Sequence, residues 1–275
     1  MTRQASDQVS DGQHDAAATR VVIGDAPLLL ICDHASNFVP LILNDLGLTQ
    51  AQLHDHIGWD IGAGALTHTL AKQLNASAVL ANFSRLVIDA NRAIDAHDLI
   101  PSQSDGIVIP GNADLTAAQR QSRVTAFHSP FHDHVAAVLQ ARRENAPITT
   151  IVSIHTFTPQ LNMQKTKKRP WHMGLLFHRD ARLAYAVAAQ CHDEPHLVIG
   201  LNEPYAPTDG VYYTLDRHAG CEPMLNLLIE VRNDLLRTAA DIELWAHRLA
   251  RWIKQALAVL LAETPQTTDK LASLA

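Results

Sequence analysis

Apolar residues in this chain gather in short runs separated by stretches of helical spacing. The run LLLIC at 28–32 shows no polar alternation, which predicts a strand buried on both faces. Similar runs at 77–83, 148–154, 173–177, 196–199 and 225–231 predict five more strands. Between them, apolar positions recur with helical period over 62–74, 116–145, 180–191 and 237–263. Pro130 predicts a kink or break in the second helix, and Asp180 an N-cap for the third. In the last, Ile242, Leu244, Leu249, Trp252, Ile253 and Leu260 fall mostly on one face. Strands alternating with helices predict an α/β fold, a single domain over 21–263 with a mixed, largely parallel sheet flanked by helices. Residues 1–20 read as a disordered leader without the apolar core of a signal peptide, and 264–275 as a flexible tail.

Two irregular stretches, 93–113 and 156–172, are long for a compact domain, a length typical of functional rims or lids. The second carries KTKKR at 165–169, either a solvated charged loop or an electropositive rim that gathers anions. A net charge of -6 argues against a nucleic-acid partner. No apolar run approaches the roughly 20 residues needed to cross a bilayer, so no membrane partner and a cytoplasmic location are expected. Cys32, Cys191 and Cys221 fit neither a disulfide framework nor a zinc knuckle and read as reduced, partly buried residues. Sixteen histidines raise the expectation of a metal or acid–base site without locating it.

Polar residues cluster where the predicted strands end. Asp33 and His34 follow the first strand, with Asn37 close behind; Asp60 precedes a glycine-rich helix entry. Arg85, Asp89, Asn91 and Arg92 follow the second strand, His155 the third, and Glu230, Arg232 and Asp234 the last. Ligands in α/β proteins bind beyond the carboxyl ends of strands, so these clusters can converge. Each alone has an ordinary explanation: Asp60 as a helix cap, Asp89 with Arg92 as an ion pair, either histidine as a bonded core residue, Glu230 with Arg232 as a strand pair. Jointly, two histidines and an acid match a mononuclear zinc site with an open fourth position, which gives Glu230 a role as base. His128 and His132, four apart with His134 nearby, read as a supporting cluster, since Pro130 intervenes and no His-Glu-x-x-His is present. The HDH at 54–56 reads as inert, and no phosphate-binding glycine loop or Gly-x-Ser-x-Gly elbow occurs.

The ordered segments DHASNFVP, GWDIGAGALT, SRLVIDANR, SIHTFTP, RPWHMGLLFHRD, NEPYAPTDGVYYTLDRHA and IEVRNDL resemble the N-formylglutamate amidohydrolase family over about 25–236. That family is related to zinc carboxypeptidases and aspartoacylases, so the resemblance implies a zinc-carboxypeptidase-like (phosphorylase/hydrolase-like) fold. It implies Zn2+, with another divalent ion left open, held by His34 and His155. The glutamate of the relatives' His-x-x-Glu pair is replaced by Asn37, so Asp60 is expected as third ligand and Asn37 as a substrate or supporting contact. The implied roles are Glu230 as base, Arg85 at the oxyanion, Asn91 and Arg92 on a substrate carboxylate, and His218 reaching the substrate. The implied reaction cleaves N-formyl-L-glutamate to formate and glutamate, in histidine catabolism. A deacylase for another N-acyl or N-carbamoyl amino acid, or a non-catalytic carboxylate- or metal-binding module, remains the alternative. The expected partner is a small molecule, and a homo-oligomer is left open.

Overall fold

In the computed structural model, which describes residues 18–142, 147–164, 166, 168–219 and 224–263, one seven-stranded sheet carries the fold. Its strands are β1 (Thr19–Val22), β2 (Leu28–Cys32), β3 (Ser77–Ala81), β6 (Thr150–Phe157), β7 (Met173–Leu176), β8 (Ile199–Leu201) and β9 (Leu225–Arg232). A separate two-strand hairpin supplies β4 (Gln103–Ser104) and β5 (Ile107–Val108). The spatial order is β1-β3-β2-β6-β9-β7-β8, with β3, β2, β6 and β9 mutually parallel, β1 antiparallel to β3, and β7 antiparallel to β9 but parallel to β8. The mixed, largely parallel α/β sheet expected from the sequence is therefore present.

Strand pleating sorts the apolar runs into two cores. Leu28, Leu30, Val152, Ile154, Leu227 and Ile229 face α2 (Ala63–Leu74), α5 (Arg182–Gln190) and α7 (Ala239–Glu263). Leu29, Ile31, Ile151 and Leu228 face the opposite layer, where Phe83, Ile88, Phe131 and Leu215 pack from the 83–100 segment, α4 (Ser129–Ala141) and α6 (Tyr213–Ala219). Burial of both faces explains the absence of polar alternation at 28–32.

Several boundaries differ from the sequence reading. β1 begins at Thr19, inside the stretch read as leader; residues 1–17, the tail 264–275, Cys221, Lys165 and Lys167 lie outside the described residues. β6 continues to Phe157 because Thr156 and Phe157 pair with Val231 and Arg232, which places His155 inside the strand. Helix continues through Pro130: α3 (Ala117–Arg123) passes into a π-helical turn, Val124–His128, and Pro130 then occupies the first turn of α4, where its missing N–H costs little. Ala181 rather than Asp180 caps α5, although Asp180 accepts the Arg182 amide. In α7, Leu244 is exposed while its neighbours Trp245 and Ala246 are buried. Among the described residues, no helix is long and apolar enough to cross a membrane.

Candidate active site

The parallel strands β2, β6 and β9 end on the same sheet edge, and their pleat decides what is delivered there. Asp33 continues the parity of Leu29 and Ile31; Ser153 and His155 share that of Ile151, and Glu230 that of Leu228. His155 and Glu230 stand opposite each other in the β6–β9 register. Asp60 arrives from the loop between α1 (Gln50–Leu53) and α2, its amide bonded to the His34 carbonyl at 3.0 Å. Arg85 and Asp89 arrive from the segment after β3.

Asp60 Oδ2 lies 2.9 Å from His155 Nδ1 and 3.4 Å from His34 Nδ1. The other ring nitrogens have their own acceptors: His34 Nε2 meets Asp89 Oδ1 at 2.7 Å, and His155 Nε2 meets Asp33 Oδ2 at 3.0 Å. A carboxylate accepting from Nε2–H fixes the tautomer and leaves the Nδ1 lone pair directed at the common point. The two rings stand edge to face, 5.0 Å apart. One ligand atom from each of His34, Asp60 and His155 falls within 4.8 Å of the others, so this group could hold a metal ion.

Residues beyond the triad brace it. Asp33 also accepts from Ser153 Oγ at 3.1 Å and Thr214 Oγ1 at 2.6 Å. Asp89 accepts from Arg85 Nη2 at 2.8 Å and the Asn91 amide at 2.9 Å, and Asp60 from the Thr156 amide at 3.2 Å. Asp33, Asp60, Asp89 and Glu230 are all buried, and Arg85 pairs with two of them, Asp60 and Asp89. Burial pulls the His155 imidazolium down, but bonds to Asp33 and Asp60 outweigh it and carry the ring up to about 10. His34 is likewise raised: burial and Arg85 oppose its charge, and Asp89 and Asp60 overcome them. Burial works against the Asp60 carboxylate too, yet His34 and His155 hold it well below the usual range. Positive charge between these groups is thus strongly favoured, and the His2Asp donor set fits a divalent ion such as zinc. Burial pushes Glu230 up to about 7 against the pull of His155, and its Oε2 has no hydrogen-bond partner.

These groups form the floor of a cleft of about 520 Å³ that Arg85, Asn91 and Arg92 also line. Both ends of the Asn91 amide are engaged: Nδ2 donates to the Val211 carbonyl and Oδ1 accepts the Thr214 amide at 3.0 Å. Arg92 bonds Asp98 at 2.7 Å and the carbonyls of Asn91 and Gly210. Asn37 and His218 do not line the cleft; Asn37 is half-buried elsewhere, and His218 bonds His132 Nδ1 at 3.0 Å. His132 and His128 in turn bond the carbonyls of Ala90 and Arg92, so the histidine cluster grips the backbone that carries Asn91 and Arg92. His56, read as inert, lines the cleft between Asp55 (2.8 Å) and Asp105 (3.0 Å). Asp105 also accepts the amides of Asn162 and Met163, tying three loops together at the mouth. Sequence reasoning missed Ser153, Thr214 and Tyr205 as site residues; the polar density of NEPYAPTDGVYYT was the available signal for the last two.

The family model described as N-formylglutamate amidohydrolase matches residues 26–237, a span that holds every residue named in this cleft. The chain belongs to the N-formylglutamate amidohydrolase family. Members of that family hydrolyse amide carbon–nitrogen bonds, so the chain is a hydrolase of that kind. The crystal structure of an Agrobacterium tumefaciens gene product is similar at 35% identity with a TM-score of 0.85, covering 90% of this chain and 97% of that one. An N-formylglutamate amidohydrolase from Ralstonia eutropha shares the fold at 19% identity and a TM-score of 0.69, covering 90% and 99%. Among curated proteins, none matches.

Proposed function

We propose that this chain is a zinc-dependent amidohydrolase that cleaves the N-acyl amide of an acidic amino acid, with N-formyl-L-glutamate as the expected substrate and formate and glutamate as products. The observation that carries the reading is the convergence of His34 Nδ1 and His155 Nδ1 on Asp60, with Glu230 in register beside His155. His34, Asp60 and His155 would hold the ion. When bound there, zinc supplies Lewis acidity that polarises a carbonyl and acidifies a water. Glu230 removes the proton from the attacking water, and its raised pKa suits a base working near neutral pH. As the carbon–nitrogen bond breaks, Glu230 returns that proton to the nitrogen, because an amine anion is too basic to leave unaided. Arg85 borders the reacting carbonyl and stabilises its developing charge while its ion pairs steady Asp60 and Asp89.

Metal analysis of the purified protein, paired with formate release from N-formyl-L-glutamate, tests this. One equivalent of zinc and chelator-sensitive formate release are expected; a metal-free protein with undiminished turnover refutes the mechanism. Faster release of acetate from N-acetyl-L-glutamate, or of carbamate from its N-carbamoyl counterpart, would instead select the deacylase reading for another N-acyl or N-carbamoyl amino acid.

A further inference from the structure

Arg85 and Arg92, the guanidiniums that line the cleft, already have carboxylate partners: Asp89 and Asp60 for the first, Asp98 for the second. A substrate carboxylate would have to share them. A third guanidinium, Arg169, stands behind the wall formed by Phe157, Thr158 and Tyr205. It stacks on the Tyr205 ring, 4.8 Å from the centroid, and its Nη1 bonds the Tyr205 hydroxyl at 3.0 Å and the Thr158 carbonyl at 3.2 Å. Among the described residues, no carboxylate lies within ion-pair distance of Arg169.

The direction of the Arg169–Tyr205 bond matters. A guanidinium only donates, so the tyrosine oxygen accepts and its own O–H is left to point elsewhere, polarised by the cation behind it. Tyr205 borders the same cleft as Glu230. Its approach is permitted by Gly174, the register partner of Glu230, where any Cβ would collide with the Glu203 carbonyl. Burial and the negative field of Glu230 raise the phenol's pKa, which keeps the proton available for donation.

We propose that the Tyr205 hydroxyl, oriented and polarised by Arg169, binds the carboxylate of the substrate and selects N-acyl amino acids that bear one. This rests on the reading of the cleft as an N-acyl amino acid site. Arg169 is the positioning residue, and Tyr205 is the group that touches substrate.

The experiment compares an N-acyl amino acid with its carboxamide counterpart. Tyr205→Phe should raise KM for the acid about 10- to 100-fold, the loss expected for one hydrogen bond to a charged group, with kcat nearly unchanged. The carboxamide, already a poor ligand, should not distinguish the variant from the parent. Arg169→Gln should repeat the pattern with the phenol intact, and Arg169→Lys should restore part of it. A fall in kcat at constant KM, or equal losses for acid and carboxamide, overturns the proposal. Calorimetric binding of the acid to Glu230→Gln, with and without Tyr205→Phe, reads the same contact without turnover. No difference there also overturns it. A persisting difference in a chain that hydrolyses no N-acyl amino acid upholds the subsite and refutes the hydrolase reading alone.

Discussion

Asp89 holds His34 from behind: its Oδ1 meets Nε2 at 2.7 Å while Oδ2 takes Arg85 Nη2 at 2.8 Å. The carboxylate fixes which ring nitrogen carries the proton and stops the ring from turning. Asp89→Asn keeps the shape, but its amide can turn its NH2 to the ring and reverse the tautomer. Such supporting contacts to a metal-binding histidine are typically worth about 10- to 100-fold in metal affinity. Chelator competition with the purified variant should show a loss of that size, together with a lower unfolding temperature in the metal-free form.

Glu230→Gln separates binding from proton transfer. Glutamine is nearly isosteric and removes a buried carboxylate oxygen that has no hydrogen-bond partner. The variant should keep its metal and its unfolding temperature but lose about 10²- to 10⁴-fold in kcat, the usual weight of a positioned acid–base group. Stopped formate-release assays at saturating substrate, with metal content measured on the same samples, check both halves.

His128, His132 and His218 make stability depend on pH. Burial lowers all three pKa values, to about 3 for His132 and about 4 for His218, with His128 also shifted down. The unfolded chain takes up protons below about pH 6.5, where the folded one does not. The unfolded state therefore binds more protons, and stability rises with pH across this window and falls as the pH drops toward 4. Raised groups such as His34, His155 and Glu230 pull the other way near neutral pH, and below about pH 6 the two histidines are protonated in both states, so there the lowered trio outweighs them. Urea midpoints with chelator present should decline from pH 6 to pH 4, and His132→Gln should flatten the decline.

Gly174→Ala tests how closely the 203–205 segment must approach β7. The added methyl meets the Glu203 carbonyl, so that backbone must shift. Overpacking of this kind costs about 1–3 kcal/mol in stability. Thermal unfolding should show the loss, and KM for a carboxylate substrate should rise as Tyr205 moves.

Much of this was legible where one physical cause dominates. β2 was readable to the residue, because a strand covered on both faces leaves no polar position to blur its ends. His34, Asp60, His155 and Glu230 were legible as a set because polar residues beside buried strand ends need partners. β1 and the β4–β5 hairpin were not. Each is four residues or fewer, carries exposed positions, and owes its conformation to pairing: β1 on β3, and β4 with β5 across the left-handed Asp105-Gly106 turn. Side-chain engagement was the other blind spot. Nothing near Asn91 announces that Val211 and Thr214, some 120 positions later, take up its amide. His218 was placed at the substrate by motif, whereas the fold turns it toward His132.

The Asp105 carboxylate, fastened at once to His56 and to the amides of Asn162 and Met163, has a consequence for how such a protein can diversify. Its knot is made of loop residues, while His155 and Glu230 below rest on strands, so entrance and proton transfer have separate supports. Lengthening or recomposing those loops around a new fastening would reshape what is admitted and leave the hydrolytic apparatus as it was.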